Sequence, residues 1–168
     1  GGKRLLAGNE PIDTDRATLL ALNPFMDVDG LPQSATGQAS LITGKNVSQR
    51  VGKHWGPKPN RETAAVLDEG TLFSTLVERG YQAALLNAYP QGYFDGINSG
   101  RRMYSSIPHG VTGAGIALNT RNDLNAGRAL SADFTGKAWR DHLGYTDYPV
   151  LEEQEAGRKL AELTNQTD

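Results

Sequence analysis

The chain has 168 residues and carries 17 lysine and arginine residues against 19 aspartate and glutamate residues, so its formal net charge is −2. Without a basic surplus, a protein gains little from releasing the counterions of DNA or RNA, which argues against nucleic-acid binding. The absence of cysteine excludes disulfides, thiolate zinc sites, iron–sulfur clusters and cysteine nucleophiles. No apolar run approaches the roughly 18 residues that span a bilayer. We therefore expect a cytoplasmic protein without a membrane partner.

Two segments near the N-terminus predict regular structure. The apolar run 17–22, which ends at Asn23-Pro24, predicts a short buried strand or, alternatively, a helical turn. Residues 33–44 change from small to apolar side chains and end in a glycine suited to a helix C-terminus. This pattern predicts a loop that enters a short helix, with Ser34 at or near the first helical residue.

Two helices and a strand are expected after a loop rich in glycine and proline. Residues 62–69 predict one helix, and residues 72–79, with Thr71 as N-cap, predict another. The apolar segment 82–87 predicts a second buried strand. A helix, a glycine and a short strand in succession are typical of half a βαβ unit, so we expect an α/β fold.

The remainder of the chain predicts short elements. Residues 90–135 are poorly periodic and rich in glycine, which favours ordered loops. Residues 136–143 predict a short helix. Residues 152–165 predict the clearest helix, because apolar residues recur at helical spacing and the glutamates of its first turn suit the helix dipole.

Ser34 is the strongest candidate for a catalytic residue. A serine at a helix N-terminus faces unpaired backbone N–H groups and the positive end of the helix dipole, which favour a phosphate or an alkoxide. Beside divalent metal ions, such a hydroxyl can lose its proton and attack phosphorus. The alternative is that Ser34 and Thr36 are ordinary capping residues, and the residues alone leave both interpretations open.

The segment Ser34-Ala35-Thr36-Gly37-Gln38, followed by Thr43-Gly44, resembles the nucleophile segment of the alkaline phosphatase superfamily. The resemblance is to the branch that contains cofactor-independent phosphoglycerate mutase, phosphopentomutase and uncharacterised metalloenzyme-domain proteins. Other stretches resemble the uncharacterised proteins, so that the resemblance covers nearly all of the chain from about residue 17: His54-Trp55-Gly56-Pro57, Leu72-Phe73, Asn87-Ala88-Tyr89-Pro90, Gly100-Arg101-Arg102 and residues 128–136.

This resemblance implies a domain organisation and a cofactor. Residues 1–89 would be an α/β segment of a three-layer core that carries the nucleophile, Ser34. Residues 90–150 would be a loop-rich, cap-like region, and residues 151–168 an amphipathic helix that returns towards the core. Two divalent ions, zinc or manganese, would bind at the site, with Ser34 as one of their ligands.

The other metal ligands of that superfamily have no match in this sequence. The superfamily supplies an aspartate from an N-terminal strand ending in Asp-Gly, and further ligands from C-terminal Asp-x-x-x-His and Asp-His segments. Asp29-Gly30 lies in a turn with no strand before it, so we do not assign that role to Asp29. We expect the chain to be an internal segment of a longer enzyme, whose remainder is its partner and holds most of the metal shell, or a truncated product of such an enzyme.

Several residues are candidates for binding a phosphorylated small-molecule substrate. Arg101 and Arg102 could clamp an anion with their guanidinium forks, or could be a solvated basic pair. Asn87 ends a predicted strand, where ligands of α/β sheets bind. His54 lies in a rigid frame and, by the resemblance, could reach the substrate, although a structural role is the alternative.

Two further candidates complete the predicted site. Thr36 lies two residues after Ser34, in the same predicted turn. Arg128 is expected to join a polar cluster of the cap-like region with Asp133, or to form an ion pair with it that fixes a loop.

The sequence therefore predicts a segment of a metal-dependent phosphate-ester hydrolase or phosphoryl-transfer enzyme, with Ser34 as nucleophile. A phosphomutase of the same superfamily is the alternative enzyme, because hydrolase and mutase differ in whether the phosphoenzyme is kept from water. A non-catalytic binding or scaffold module is the alternative if the metal-ligand segments are absent from the protein.

Overall fold

The computed structural model describes residues 11–165. This part of the chain is a mixed α/β structure with 45% helix and only small sheets, which confirms the predicted α/β class at that level. The helices are α1 (Ser34–Thr43), α2 (Val47–Val51), α3 (Arg61–Asp68), α4 (Leu72–Glu78), α5 (Gln91–Asn98), α6 (Ser106–Gly113), α7 (Arg121–Asn125), α8 (Lys137–Leu143) and α9 (Glu153–Thr164). The strands are β1 (Ile12–Asp13), β2 (Thr18–Leu19), β3 (Ala88–Tyr89) and β4 (Asn119–Thr120).

The principal helical core forms where α1 packs against α3 and α6. Ala35 lies beside Ser106 at the start of both helices, and Ile42 lies beside Gly110 further along, so α1 and α6 run side by side in the same direction. The side chains of this core come from α1, α2 and α3 and include Ala39, Ile42, Val47, Val66 and Leu67. Their burial removes apolar surface from water and thereby stabilises the helix packing.

A small parallel sheet lies beside these helices. Strand β3 pairs with β4 on one side, with Ala88 opposite Asn119. On the other side, Asn87 forms a parallel bridge with Leu130, whose backbone bonds to the residues on either side of Asn87. The sequence predicts a strand over residues 82–87, whereas the strand pairing in the structure occurs a few residues further along the chain, at residues 87–89.

The apolar run 17–22 is exposed, so the prediction of a buried strand there is wrong. Only Thr18–Leu19 is a strand, and it pairs antiparallel with Ile12–Asp13. Leu20 is 56% exposed and Leu22 is 71% exposed. The described residues bring no element over this run, which leaves its leucines in water.

Where capping residues mark the ends of a helix, the observed bounds of the helix agree closely with those that the sequence predicts. Helix α1 begins at Ser34 and ends before Gly44, which adopts the left-handed conformation that glycine tolerates. Helix α4 begins after Thr71, whose side chain accepts a hydrogen bond from the Ser74 N–H. These capping contacts are local, which is why the sequence predicts them.

The region 90–135 contains more helix than the sequence predicts. Helices α5, α6 and α7 lie within it, and α6 packs directly on α1. Each of α5 and α6 contains glycine, which lowers intrinsic helix propensity. The predicted boundary at residue 89 between core and cap-like region stays a prediction. Within residues 11–165, no helix combines the length and the apolar character needed to cross a bilayer.

Candidate functional site

The start of α1 places Ser34 as the first helical residue, in an exposed position. Gln33 precedes it in an extended conformation and supplies no side-chain cap. The Ser34 hydroxyl donates a hydrogen bond to the carbonyl oxygen of Pro57, at 3.4 Å. The backbone N–H groups of Ser34 and Ala35 have no acceptor among residues 11–165. The helix start thus combines a hydroxyl, unpaired donors and the positive end of the dipole.

A loop packs closely over this helix start. Gly56 is joined to Pro57 by a cis peptide bond. A Cβ atom on Gly56 would lie 3.1 Å from the backbone nitrogen of Ser34, closer than side chains usually approach. Glycine at this position therefore lets the loop touch the first turn of α1 without covering the Ser34 side chain.

Thr36 fastens the same loop to α1 from inside the protein. Its side chain is fully buried. Its hydroxyl accepts a hydrogen bond from the Trp55 N–H at 3.2 Å, and its own N–H donates to the Trp55 carbonyl at 3.1 Å. These bonds position the loop beside Ser34, and burial keeps the Thr36 hydroxyl from direct contact with a substrate.

His54 joins the loop before α1 to helix α2. Its Nε2 atom lies 3.2 Å from the carbonyl oxygen of Val28, and its Nδ1 atom lies 3.1 Å from the hydroxyl oxygen of Ser48. Because a carbonyl oxygen only accepts, this geometry requires a proton on Nε2, and Nδ1 shares its hydrogen bond with the Ser48 hydroxyl, which can donate or accept. Both ring nitrogens are engaged, which favours the structural alternative for His54 over substrate binding.

Arg101 and Arg102 are held by different neighbours. The Nε atom of Arg101 donates to the hydroxyl of Ser99 at 3.0 Å. The guanidinium carbon of Arg102 lies 5.4 Å from the centre of the Tyr93 ring, a cation–π arrangement. The two side chains therefore do not share one partner, and Arg102 is the one that lies over an aromatic ring.

Arg128 pairs with Asp123, not with Asp133, so the predicted association of Arg128 with Asp133 is wrong. The Arg128 guanidinium donates to Asp123 at 2.8 Å. Asp133 instead accepts from the backbone N–H groups of Gly136 and Ala138, at 3.1 and 2.7 Å. Burial by itself would raise the pKa of Asp133, but these hydrogen bonds and that from Ser131 hold it below its ordinary value. Asp133 therefore stabilises the start of α8.

Asn87 lies at the small parallel sheet. It is half-buried, and its side-chain amide makes no hydrogen bond within residues 11–165. Among the described residues, no hydrogen bond or ion pair joins Asn87 or Arg128 to Ser34. Of the predicted candidates, Ser34 and Thr36 lie together at the start of α1. Asn87 lies at the small parallel sheet, and Arg128 lies in the loop between α7 and Leu130.

Lys58 is a candidate that the sequence analysis missed. It follows Pro57, the residue whose carbonyl accepts the Ser34 hydroxyl, and it is half-buried. Partial burial lowers the pKa of Lys58, and the positive charge of Arg102 lowers it further. In the sequence, the feature that could have pointed to Lys58 is its position between two prolines, in the loop between α2 and α3.

Residues 11–165 do not fit the two-ion site that the resemblance implies. A zinc site needs about three or four protein ligands. The described residues contain no group of three or more histidine, aspartate or glutamate side chains that could hold a metal ion. His54, the nearest imidazole in sequence, already uses both ring nitrogens. Ser34 alone matches the expected ligand set.

An open groove of about 600 Å³ lies at the other end of α1. Leucine side chains, Tyr81 and the Lys45–Glu69 ion pair contribute to its walls. None of the predicted site residues lines this groove. The groove therefore does not change the assignment of the candidate site to the start of α1.

No protein-family model, no curated protein and no solved structure matches the chain.

Proposed function

We propose that the chain contributes the nucleophile and the anion-binding helix of a phosphate-ester hydrolase or phosphoryl-transfer enzyme. The observation that supports this proposal most directly is the start of α1, where the exposed Ser34 hydroxyl lies at an uncapped helix N-terminus. Backbone donors and the helix dipole favour a phosphoryl group at such a position. The resemblance to the alkaline phosphatase superfamily, in the segment 34–38 followed by Thr43-Gly44, suggests the same role for Ser34.

The chemistry proposed for Ser34 is a two-step substitution at phosphorus. The Oγ atom forms a bond to phosphorus, and the bond between phosphorus and the ester oxygen breaks, which releases the alcohol and leaves a phosphoserine. Water then displaces Oγ in a hydrolase, or a second hydroxyl does so in a mutase. The unpaired N–H groups of Ser34 and Ala35 would stabilise the charge that develops on the phosphoryl oxygens.

The fold and the cofactor belong to the same proposal. We propose that α1 and its neighbours form part of a three-layer core, to which residues 11–165 contribute helices and two-residue strands. Zinc or manganese ions, when bound, would supply positive charge at the phosphoryl group. Their ligands would come mainly from beyond the described residues, because Ser34 alone matches the expected set.

The test is turnover of phosphate monoesters by the protein expressed from its complete coding sequence with zinc or manganese supplied. Ser34→Ala should lower kcat by at least roughly a thousandfold, whereas Ser34→Thr, which keeps a hydroxyl, should retain part of the activity. Ser105→Ala is the matched control, since it removes another hydroxyl close to this end of α1. Release of phosphate and transfer to an added alcohol are both measured, because both pass through phosphoserine. Unchanged kcat in Ser34→Ala would overturn the proposal.

A further inference from the structure

We propose that Thr36 is a positioning residue for the Ser34 hydroxyl, and that it acts through the loop of residues 55–57 and not on the substrate. The inference rests on the proposed function in so far as it treats Ser34 as the nucleophile. The coupling between the loop and the Ser34 side chain does not depend on that function. Thr36 thereby has a task other than the direct substrate contact that the sequence predicts.

The loop holds the hydroxyl of Ser34 through a single contact. Within residues 11–165, this hydroxyl has one hydrogen-bond partner, the carbonyl oxygen of Pro57. At 3.4 Å the bond is longer than the roughly 2.7–2.8 Å usual for a hydroxyl donor and an oxygen acceptor. A small retreat of the loop would therefore break it. While the bond is present, the hydrogen of Ser34 points at the loop, and the lone pairs of its Oγ atom are free for an electrophile such as phosphorus.

Thr36 fixes the distance between the loop and helix α1. Its backbone N–H donates to the Trp55 carbonyl oxygen at 3.1 Å. Its hydroxyl oxygen lies 3.2 Å from the Trp55 nitrogen and 3.5 Å from the Trp55 carbonyl oxygen. The Thr36 side chain is fully buried, so water does not compete for these bonds. Without the hydroxyl, the N–H of Trp55 would lose this acceptor, and one of the bonds that fasten the loop would remain.

Close packing passes the position of Trp55 on to Ser34. A Cβ atom on Gly56 would lie 3.1 Å from the backbone nitrogen of Ser34 and 3.1 Å from the Cβ atom of Gln33. The loop therefore lies against the start of α1 with no room for a side chain between them. Because one residue separates Trp55 from Pro57, a displacement at Trp55 also moves the carbonyl that holds Ser34.

Loss of this positioning should affect the rate of attack and not the affinity for substrate. A nucleophile displaced by about 1 Å from its productive position can lose about a hundredfold in rate. The backbone N–H groups and the dipole of α1 do not depend on where the Ser34 Oγ atom points. We therefore expect the Thr36 hydroxyl to influence the phosphorylation step alone.

The kinetic test measures how fast a phosphate monoester phosphorylates Ser34 in single turnovers. The protein is expressed from its complete coding sequence and is in excess over the ester, so that partial unfolding changes mainly the amplitude and not the rate constant at saturation. Thr36→Val, which removes the hydroxyl, should lower the rate constant between about tenfold and a hundredfold, with half-saturation unchanged within about twofold. Thr36→Ser, which keeps a hydroxyl, should remain within about threefold of the native rate constant.

Thr71→Val is the matched control for Thr36→Val. Thr71 is also a buried threonine whose hydroxyl accepts a backbone N–H, that of Ser74, at 3.3 Å. It caps α4 and lines the groove at the other end of α1. Thr71→Val should therefore destabilise the protein and leave the rate constant for phosphorylation unchanged.

Gly56→Ala is a second variant that reaches the same contact without changing Thr36. Its Cβ atom would force the loop or the start of α1 to give by a few tenths of an ångström. We expect this shift to break the long bond to Ser34 and to slow phosphorylation at least about tenfold. This variant decides the question if Thr36→Val does not fold.

Two NMR measurements on the 168-residue chain test the coupling without any turnover. The couplings across the Cα–Cβ bond of Ser34 should report one χ1 rotamer in the native chain and an average of rotamers in Thr36→Val and Gly56→Ala. The backbone N–H of Trp55 should exchange with solvent at least about tenfold faster in Thr36→Val. Its exchange should be unchanged in Thr36→Ser and Thr71→Val.

The inference and the proposed function can fail separately. The inference is overturned if Thr36→Val phosphorylates Ser34 at the native rate, if Thr36→Ser is as slow as Thr36→Val, or if Thr71→Val slows phosphorylation equally. Phosphorylation of Ser34 that does not respond to Thr36 would support the proposed function and overturn the inference. Absence of phosphoserine in the native protein, with a Ser34 rotamer that depends on Thr36, would overturn the proposed nucleophile and support the coupling.

Discussion

The buried hydroxyl of Ser106, at the start of α6, donates a hydrogen bond of 2.7 Å to the carbonyl oxygen of Ala35, in the first turn of α1. This contact joins residues that are far apart in sequence and fixes the two helix starts side by side. It also brings the start of α6 next to the first turn of α1. The geometry of the candidate site therefore depends on the packing of α6 against α1.

Loss of this hydrogen bond should destabilise the protein. Ser106→Ala removes the donor and leaves part of the hydrogen-bonding capacity of the Ala35 carbonyl unused in a buried place. We expect a decrease of about 1–2 kcal/mol in the free energy of unfolding, measured by urea denaturation. Ser105→Ala, at the preceding half-buried position, should change it by less than about 0.5 kcal/mol. Equal effects of the two substitutions would show that the contact contributes nothing specific.

The close packing of α6 on α1 leads to a second prediction, for a substitution at Gly110. A Cβ atom there would lie 2.7 Å from Cδ1 of Ile42 and 3.1 Å from Cγ2 of Thr71. Gly110→Ala should therefore lower the free energy of unfolding by about 1–3 kcal/mol through overpacking, despite the better helix propensity of alanine.

Gly113→Ala is the matched control for Gly110→Ala in the same helix. A Cβ atom on Gly113 meets nothing within 4 Å, and the residue is exposed. This substitution should be neutral or should stabilise the protein by up to about 1 kcal/mol. If Gly110→Ala changes the free energy of unfolding no more than Gly113→Ala does, α6 and α1 are packed less closely than the distances at Gly110 indicate.

Acid should weaken the start of α7 through Asp123. The backbone N–H of Thr120, the guanidinium of Arg128 and the hydroxyl of Thr120 lower the pKa of Asp123 to about 2, from an ordinary value of 3.8. A carboxylate whose pKa is lowered on folding stabilises the folded protein at pH values above its pKa in the unfolded chain. This stabilisation is lost as the pH falls from the unfolded-state pKa towards the folded-state pKa of about 2.

The difference in Tm between the native protein and Asp123→Asn measures this contribution. The difference should be constant above about pH 5 and should shrink progressively as the pH falls through the interval between the two pKa values. Arg128→Gln should narrow that interval, because it removes one cause of the lowered pKa. A difference that does not change with pH would contradict the role given to the Asp123 carboxylate.

Elements that local chemistry defines could be predicted from the sequence, and elements that depend on distant neighbours could not. Gly44 ends α1 and Thr71 caps α4 because each satisfies backbone groups within a few residues. Helix α6 was missed because Pro108 and Gly110 disfavour helix by propensity. Yet Pro108 lies in the first turn, where it is tolerated, and Gly110 permits the approach of Ile42.

The same distinction applies to the candidate site. Ser34 was predicted because a helix N-terminus has a local signature. Burial of Thr36 and the two hydrogen bonds of His54 depend on how the loop folds back on α1, which the sequence does not display. The lowered pKa of Lys58 likewise has causes that lie in the tertiary structure, namely partial burial and the charge of Arg102. Charge patterns that arise from distant segments cannot be recognised from spacing alone.

The most direct test of the central claim is to trap the phosphoenzyme. The protein expressed from its complete coding sequence is mixed with a phosphate monoester, quenched in acid during turnover and digested, and its peptides are analysed by mass spectrometry. A Ser34 nucleophile predicts one phosphoryl group on the peptide that contains Ser34, and none on that peptide in the Ser34→Ala protein. Turnover with no phosphoryl group on Ser34, or with the group on another residue, would contradict the claim.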